Sequence, residues 1–153
     1  MTRLLVSTAL AAALFATGAP AHAELASWDQ AKVTALAKQL DTAAQALYDS
    51  FYKDQPKPTV GQERAYYRLE QDIRHIKNDA RQLSRELEKG EGRDATQPSY
   101  DDLMMGVRRA QDNAAKVFTV KDFQDKAGAA RAVLNQLSPY YDANAKPLEP
   151  VKR

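Results

Sequence analysis

Residues 66–87, YYRLEQDIRHIKNDARQLSREL, decide the fold. Tyr66, Leu69, Ile73, Ile76, Ala80, Leu83 and Leu87 recur at alternating steps of three and four, which places all of them on one stripe of a helix. Arg, Lys, Glu, Asp, Asn and Gln fill the other faces. Such a helix is marginal alone in water and needs partners to cover its stripe. The rest of the chain must supply them.

The same periodicity recurs on either side. A first helix is predicted over 28–53, turning Val33, Leu36, Leu40, Ala43, Leu47 and Phe51 inward, before Pro56 and Pro58 stop it. The second runs over 60–89 and ends at Gly90, a residue suited to a left-handed cap. Residues 91–98 read as an exposed turn. A third helix over 100–117 buries Tyr100, Leu103, Val107, Ala110, Ala114 and Val117, and a fourth carries Val120, Phe123, Ala127, Ala130, Leu134 and Leu137. Ser138 and Pro139 close it, and 139–153 reads as a flexible, proline-containing tail.

Capping boxes agree with these starts: Ser27 with Gln30, Thr59 with Gln62, Ser99 with Asp102, and Thr119 with Asp122. No Gly or Pro separates the last two helices, so one continuous rod, giving three long helices, is the alternative. A one-residue phase change in the stripe and the staple positions of Phe118 and Phe123 favour a turn. Short connections make neighbours antiparallel, so the expected fold is an all-α, up-down-up-down four-helix bundle with two long and two shorter helices. Helices three and four should meet closely through Ala110, Ala114, Ala127, Gly128 and Ala130.

The bundle occupies 24–138. Ahead of it, Arg3, an apolar run over 4–15, helix breakers at Gly18 and Pro20, and the small residues of Ala21-His22-Ala23 predict a bacterial signal peptide cleaved after Ala23. Its apolar run is short for a span of about 30 Å of hydrocarbon. The expected destination is the periplasm or the medium. Of 22 Lys and Arg, only Arg3 lies in this leader, so 21 basic side chains face 20 acidic ones. That balance argues against a nucleic-acid binder. Cysteine is absent, which excludes disulfides, thiolate metal sites and a lipid anchor on cysteine.

Four sets of residues are candidates for function. His75 is the one histidine beyond the leader, and a haem held by His75 with Met104 or Met105 would need partners that the hairpin places about 15 Å apart along the axis, so no cofactor is expected. Asp72, His75 and Asp79 share a face at i, i+3 and i+7 and could hold Zn²⁺ or Cu²⁺; pairing of the acids with neighbouring bases is the plainer reading. Arg74, Lys77, Arg81 and Arg85 form a basic column that could take phosphates of an anionic lipid, although nearby acids make a solvated, ion-paired face the plainer account. No set of acid, base and nucleophile can be assembled, so no catalytic residues are assigned and an enzyme is not expected. Last, Tyr48, Phe51, Tyr52, Tyr66 and Tyr67 gather at the tip of the first hairpin. If helices three and four stop short of it, this tip stands clear of the bundle and offers a site for a protein partner or a second copy.

Overall fold

The computed structural model describes residues 24–151; the expected leader lies outside them. Four helices follow one another: α1 (Gln30–Asp54), α2 (Glu63–Glu88), α3 (Arg93–Ala114) and α4 (Lys121–Leu137), with a short 3-10 turn at Ser138–Tyr140. The architecture is an all-α four-helix bundle, with no strand among the described residues. Six of the seven stripe residues of α2 are buried, and Tyr66 is half-buried.

The turn between α2 and α3 is as tight as Gly90 allows. Gly90 sits at φ +85°, its N–H reaches the Leu87 carbonyl at 3.0 Å, and the Glu91 N–H reaches the Glu86 carbonyl at 3.1 Å. This is the paired closure of a Schellman cap. Of the segment 91–98, expected as an exposed turn, residues 93–98 instead belong to the opening turns of α3. Pro98 is tolerated inside the helix because it is solvent-facing, where water can satisfy the carbonyl deprived of its N–H donor. Tertiary contacts hold this part: Thr96 is fully buried and bonds to Gly92 and Tyr141, while Arg93 binds the Ala26 carbonyl at 2.7 Å and lies over Trp28.

A break between the last two helices is present, at residues 115–120. The expected staple across it is not made, because Phe118 points to solvent with 62% of its surface exposed. The caps also differ from the boxes. Asp29, not Ser27, caps α1 by accepting from the Lys32 N–H, and Asp122 accepts from Ser50 of α1 at 2.6 Å. Gln30 reaches across to the Leu87 and Glu91 carbonyls and so covers the C-terminal end of α2.

Beyond α4 the chain is not a free tail. Tyr140 and Tyr141 are buried. Tyr141 stacks on Tyr100 at 4.3 Å, meets Trp28 edge-on at 5.5 Å, and hydrogen-bonds Thr96 at 2.8 Å. With the Ala26 N–H bonded to the Pro139 carbonyl, these rings plug the end of the bundle where the chain enters. The segment then runs back along the outside of the bundle, and Leu148 and Val151 pack against its core.

In cross-section, α1 packs on α2 and on α4, and α2 packs on α3. The fourth side, between α3 and α4, stays open. The expected close approach there is not made: the small side chains of Ala110, Ala114, Ala127 and Ala130 line a space instead of a contact. The C-terminal segment lies over that space, and closure of α3 on α4 would require its expulsion.

Candidate functional site

At the hairpin tip, the five aromatics do not act as one group. Phe51 is 2% exposed and belongs to a second core cluster with Leu47, Leu69, Ile73, Ala114, Val117 and Phe123. Its ring lies 5.7 Å from that of Phe123 and 5.2 Å from that of Tyr66. Tyr48 is half-buried beneath the Lys77 ammonium, 4.0 Å from its ring centre. Tyr52 and Tyr67 remain exposed. The tip does not stand clear of the bundle, because α3 begins at Arg93 and therefore climbs further than a helix begun at Tyr100. The loop after α3 is tied to the tip by Gln55, whose side chain donates to the Phe118 carbonyl and accepts from the Val120 N–H. Val60, 97% exposed, and Phe118 are the apolar residues that this end leaves in water.

The basic column faces the seam between α1 and α2. Arg74 donates to the Tyr52 hydroxyl at 2.9 Å and pairs with Glu70, while the Tyr52 hydroxyl donates to Glu70. Arg81 reaches Gln45 at 3.1 Å and Asp41 at 3.7 Å. Lys77 covers Tyr48, and Arg85 is exposed. Three of the four cations are thus engaged within the hairpin.

Asp72, His75 and Asp79 are not brought to one point. Asp72 is buried and accepts from Arg109 at 3.1 Å and Asn113 at 2.8 Å, which locks α2 to α3. His75 is exposed. Asp79 faces Asp102, Arg109 and His75, and burial holds its carboxyl above the usual carboxylate range. Among the described residues no three His, Asp or Glu side chains converge as a metal site.

The open side of the bundle is a site that the sequence did not announce. Between α3 and α4 lies a cavity of about 380 Å³. Leu40 and Leu47 of α1 and Leu69, Ile73 and Ile76 of α2 form its floor. Val107, Ala110 and Ala114 of α3 and Phe123, Ala127, Ala130 and Leu134 of α4 form its walls. Along α4 its lining runs from Phe123 to Leu134, eleven helical steps, about 16 Å. Leu148, Pro150 and Val151 lie over it as a strap. Asn135 clamps the strap from both sides, accepting from the Leu148 N–H at 2.8 Å and donating to its carbonyl at 3.3 Å, and Gln111 donates to the Glu149 carbonyl at 3.3 Å.

A cavity of this size falls in the range of small-molecule sites, about 300–1,000 Å³. It is well above the engineered apolar cavity of about 150 Å³ that stays dry and takes benzene. Its polar lining is sparse. Gln124 is committed to the Thr119 carbonyl at 2.7 Å and Gln111 to the strap. Arg131, half-buried at the mouth, makes no hydrogen bond or ion pair with any described residue. Comparison with protein-family models, curated proteins and solved structures finds no match for this chain.

Proposed function

We propose that this is an exported, non-catalytic binding protein that holds an elongated apolar ligand between α3 and α4. The observation that carries the reading is the cavity of about 380 Å³ walled by leucines, isoleucines, alanines and Phe123, in a bundle whose other three sides are packed. Unfilled apolar space of this volume costs stability, because its lining lacks packing partners on one side. A ligand that restores those contacts recovers that loss. Alanine at 110, 114, 127 and 130 keeps the space open where larger side chains would fill it. The strap gives the site a removable cover, held by a few polar bonds to Asn135 and Gln111.

The test is a titration with N-phenyl-1-naphthylamine, whose emission rises in apolar surroundings. The reading expects saturable, one-to-one binding by the wild type and none by Ala127→Phe, with both proteins equally helical. Equal binding by the two would place the dye elsewhere and overturn the reading.

A second reading is docking of a protein partner or a second copy at the loop end, favoured by the exposure of Val60, Tyr67 and Phe118 on one end of the bundle. Light scattering after size exclusion tests self-association. A dimer lost in Tyr67→Ser with Phe118→Ser supports it, and a monomer at all concentrations removes self-association.

A further inference from the structure

Resting on the reading that the α3–α4 cavity is a ligand site, we infer that its ligand is a single-chain amphiphile with an anionic head group, and that Arg131 receives the head.

The cavity is long, narrow and apolar along its floor, so the buried part of the ligand is a chain and not a polar ring system. Its polar lining is limited to Gln111 of α3, Thr119 of the following loop, and Gln124 and Arg131 of α4. Gln111 and Gln124 each already donate to a backbone carbonyl, whereas Arg131 donates to no described residue. Arg131 is the one cation among the residues that line the cavity. Arg74, Arg81 and Arg109 and Lys38 and Lys121 each have an acid within 4.0 Å, whereas Arg131 has none among the described residues.

The guanidinium lies back along α4. Arg131 Nη2 lies 3.7 Å from the position a Cβ at Gly128 would occupy, one turn earlier on α4. At that distance a methyl group at 128 would make an ordinary contact and leave the arginine where it lies beside the cavity. Guanidinium presents parallel N–H donors that match a carboxylate or a phosphate. A half-buried, unpaired guanidinium beside an apolar wall gains from an anion delivered there, and the apolar chain is what would deliver it. An alcohol of the same chain could fill the cavity but would leave the charge unanswered. A cationic amphiphile would be repelled.

The experiment displaces the bound dye with decanoate, decanol and decyltrimethylammonium, on wild type, Arg131→Gln and Arg131→Lys. Wild type is expected to bind decanoate at least tenfold more tightly than decanol, the scale of one charge-assisted hydrogen bond. Arg131→Gln should bind both equally, with the decanol affinity unchanged, and Arg131→Lys should recover part of the preference. Equal affinity for decanoate and decanol in wild type overturns the head-group assignment and leaves the cavity reading standing. A preference for decanoate that survives in Arg131→Gln overturns the role of Arg131. Failure of every chain to displace the dye overturns the cavity reading itself. Decyl phosphate run beside decanoate distinguishes a phosphate head from a carboxylate.

Discussion

Replacing Tyr141 by Ala tests whether the segment after α4 belongs to the core. Tyr141 is buried, stacked on Tyr100 with 7° between planes, edge-on to Trp28, and bonded through its hydroxyl to Thr96. Truncating a buried aromatic costs about 3–5 kcal/mol, including the cavity left behind. A domain of this size has about 5–15 kcal/mol in total, so the loss would be a large share of its stability. Tyr141→Phe separates the ring from the hydroxyl. It keeps the stack, and the Thr96 hydroxyl retains the Gly92 carbonyl at 3.0 Å, so only about 1 kcal/mol should go. Urea unfolding followed by circular dichroism reads both, with the slope m unchanged. A loss under about 1 kcal/mol for Tyr141→Ala would refute the packing, because surface substitutions lie within about 0.5 kcal/mol of neutral.

Three further outcomes follow from local geometry. Burial raises the Asp79 pKa, so the folded state binds that proton more tightly than the unfolded state, and the ionised carboxylate opposes folding at neutral pH. Asp79→Asn should therefore melt higher than wild type at neutral pH. The advantage should shrink as pH falls through the raised pKa and vanish below the ordinary carboxylate range; a constant difference across that window would contradict the assignment. At Gly106 an added Cβ would meet Ile76 Cγ1 at 3.5 Å, an ordinary contact, so Gly106→Ala should stabilise α3 by about 0.5–1 kcal/mol through helix propensity, whereas Gly106→Leu should destabilise by about 1–3 kcal/mol by forcing α2 from α3. Asn135→Ala removes both bonds to the strap. In hydrogen exchange the Leu148 amide should open at least tenfold faster, with the Tyr141 amide unaffected.

Periodicity made the four helices legible. The stripe of α2, the prolines after α1 and the left-handed Gly90 each act through local backbone and solvent, so the residues alone report them. The features that sequence reading missed depend on contacts far apart in the chain. Pro98 reads as a helix boundary until Thr96, Arg93 and Tyr141 are seen to hold the turns around it. The tail has no period to reveal its burial, because Tyr140, Tyr141, Leu148 and Val151 pack individually onto different parts of the bundle. Adjacent tyrosines with no helical stripe to join, in a chain whose one tryptophan sits just before α1, were the available signal. The alanines of α3 and α4 are ambiguous in principle: small side chains permit either close approach or an empty space, and the strap decides between them. At the tip the spacing brings five aromatics to one end of the hairpin, but which of them face water depends on Phe123 and on the loop after α3, contacts that are distant in the chain.

The claim that the open side of the bundle is the binding site is tested most directly by methyl-resolved NMR during titration with decanoate. The account predicts saturable shifts of the Ala110, Ala127, Ala130, Leu148 and Val151 methyl groups, with nuclear Overhauser contacts from these to the alkyl chain. Saturable shifts confined to Val60 and the rings of Tyr67 and Phe118 at the loop end, with the cavity methyl groups unmoved, would contradict it.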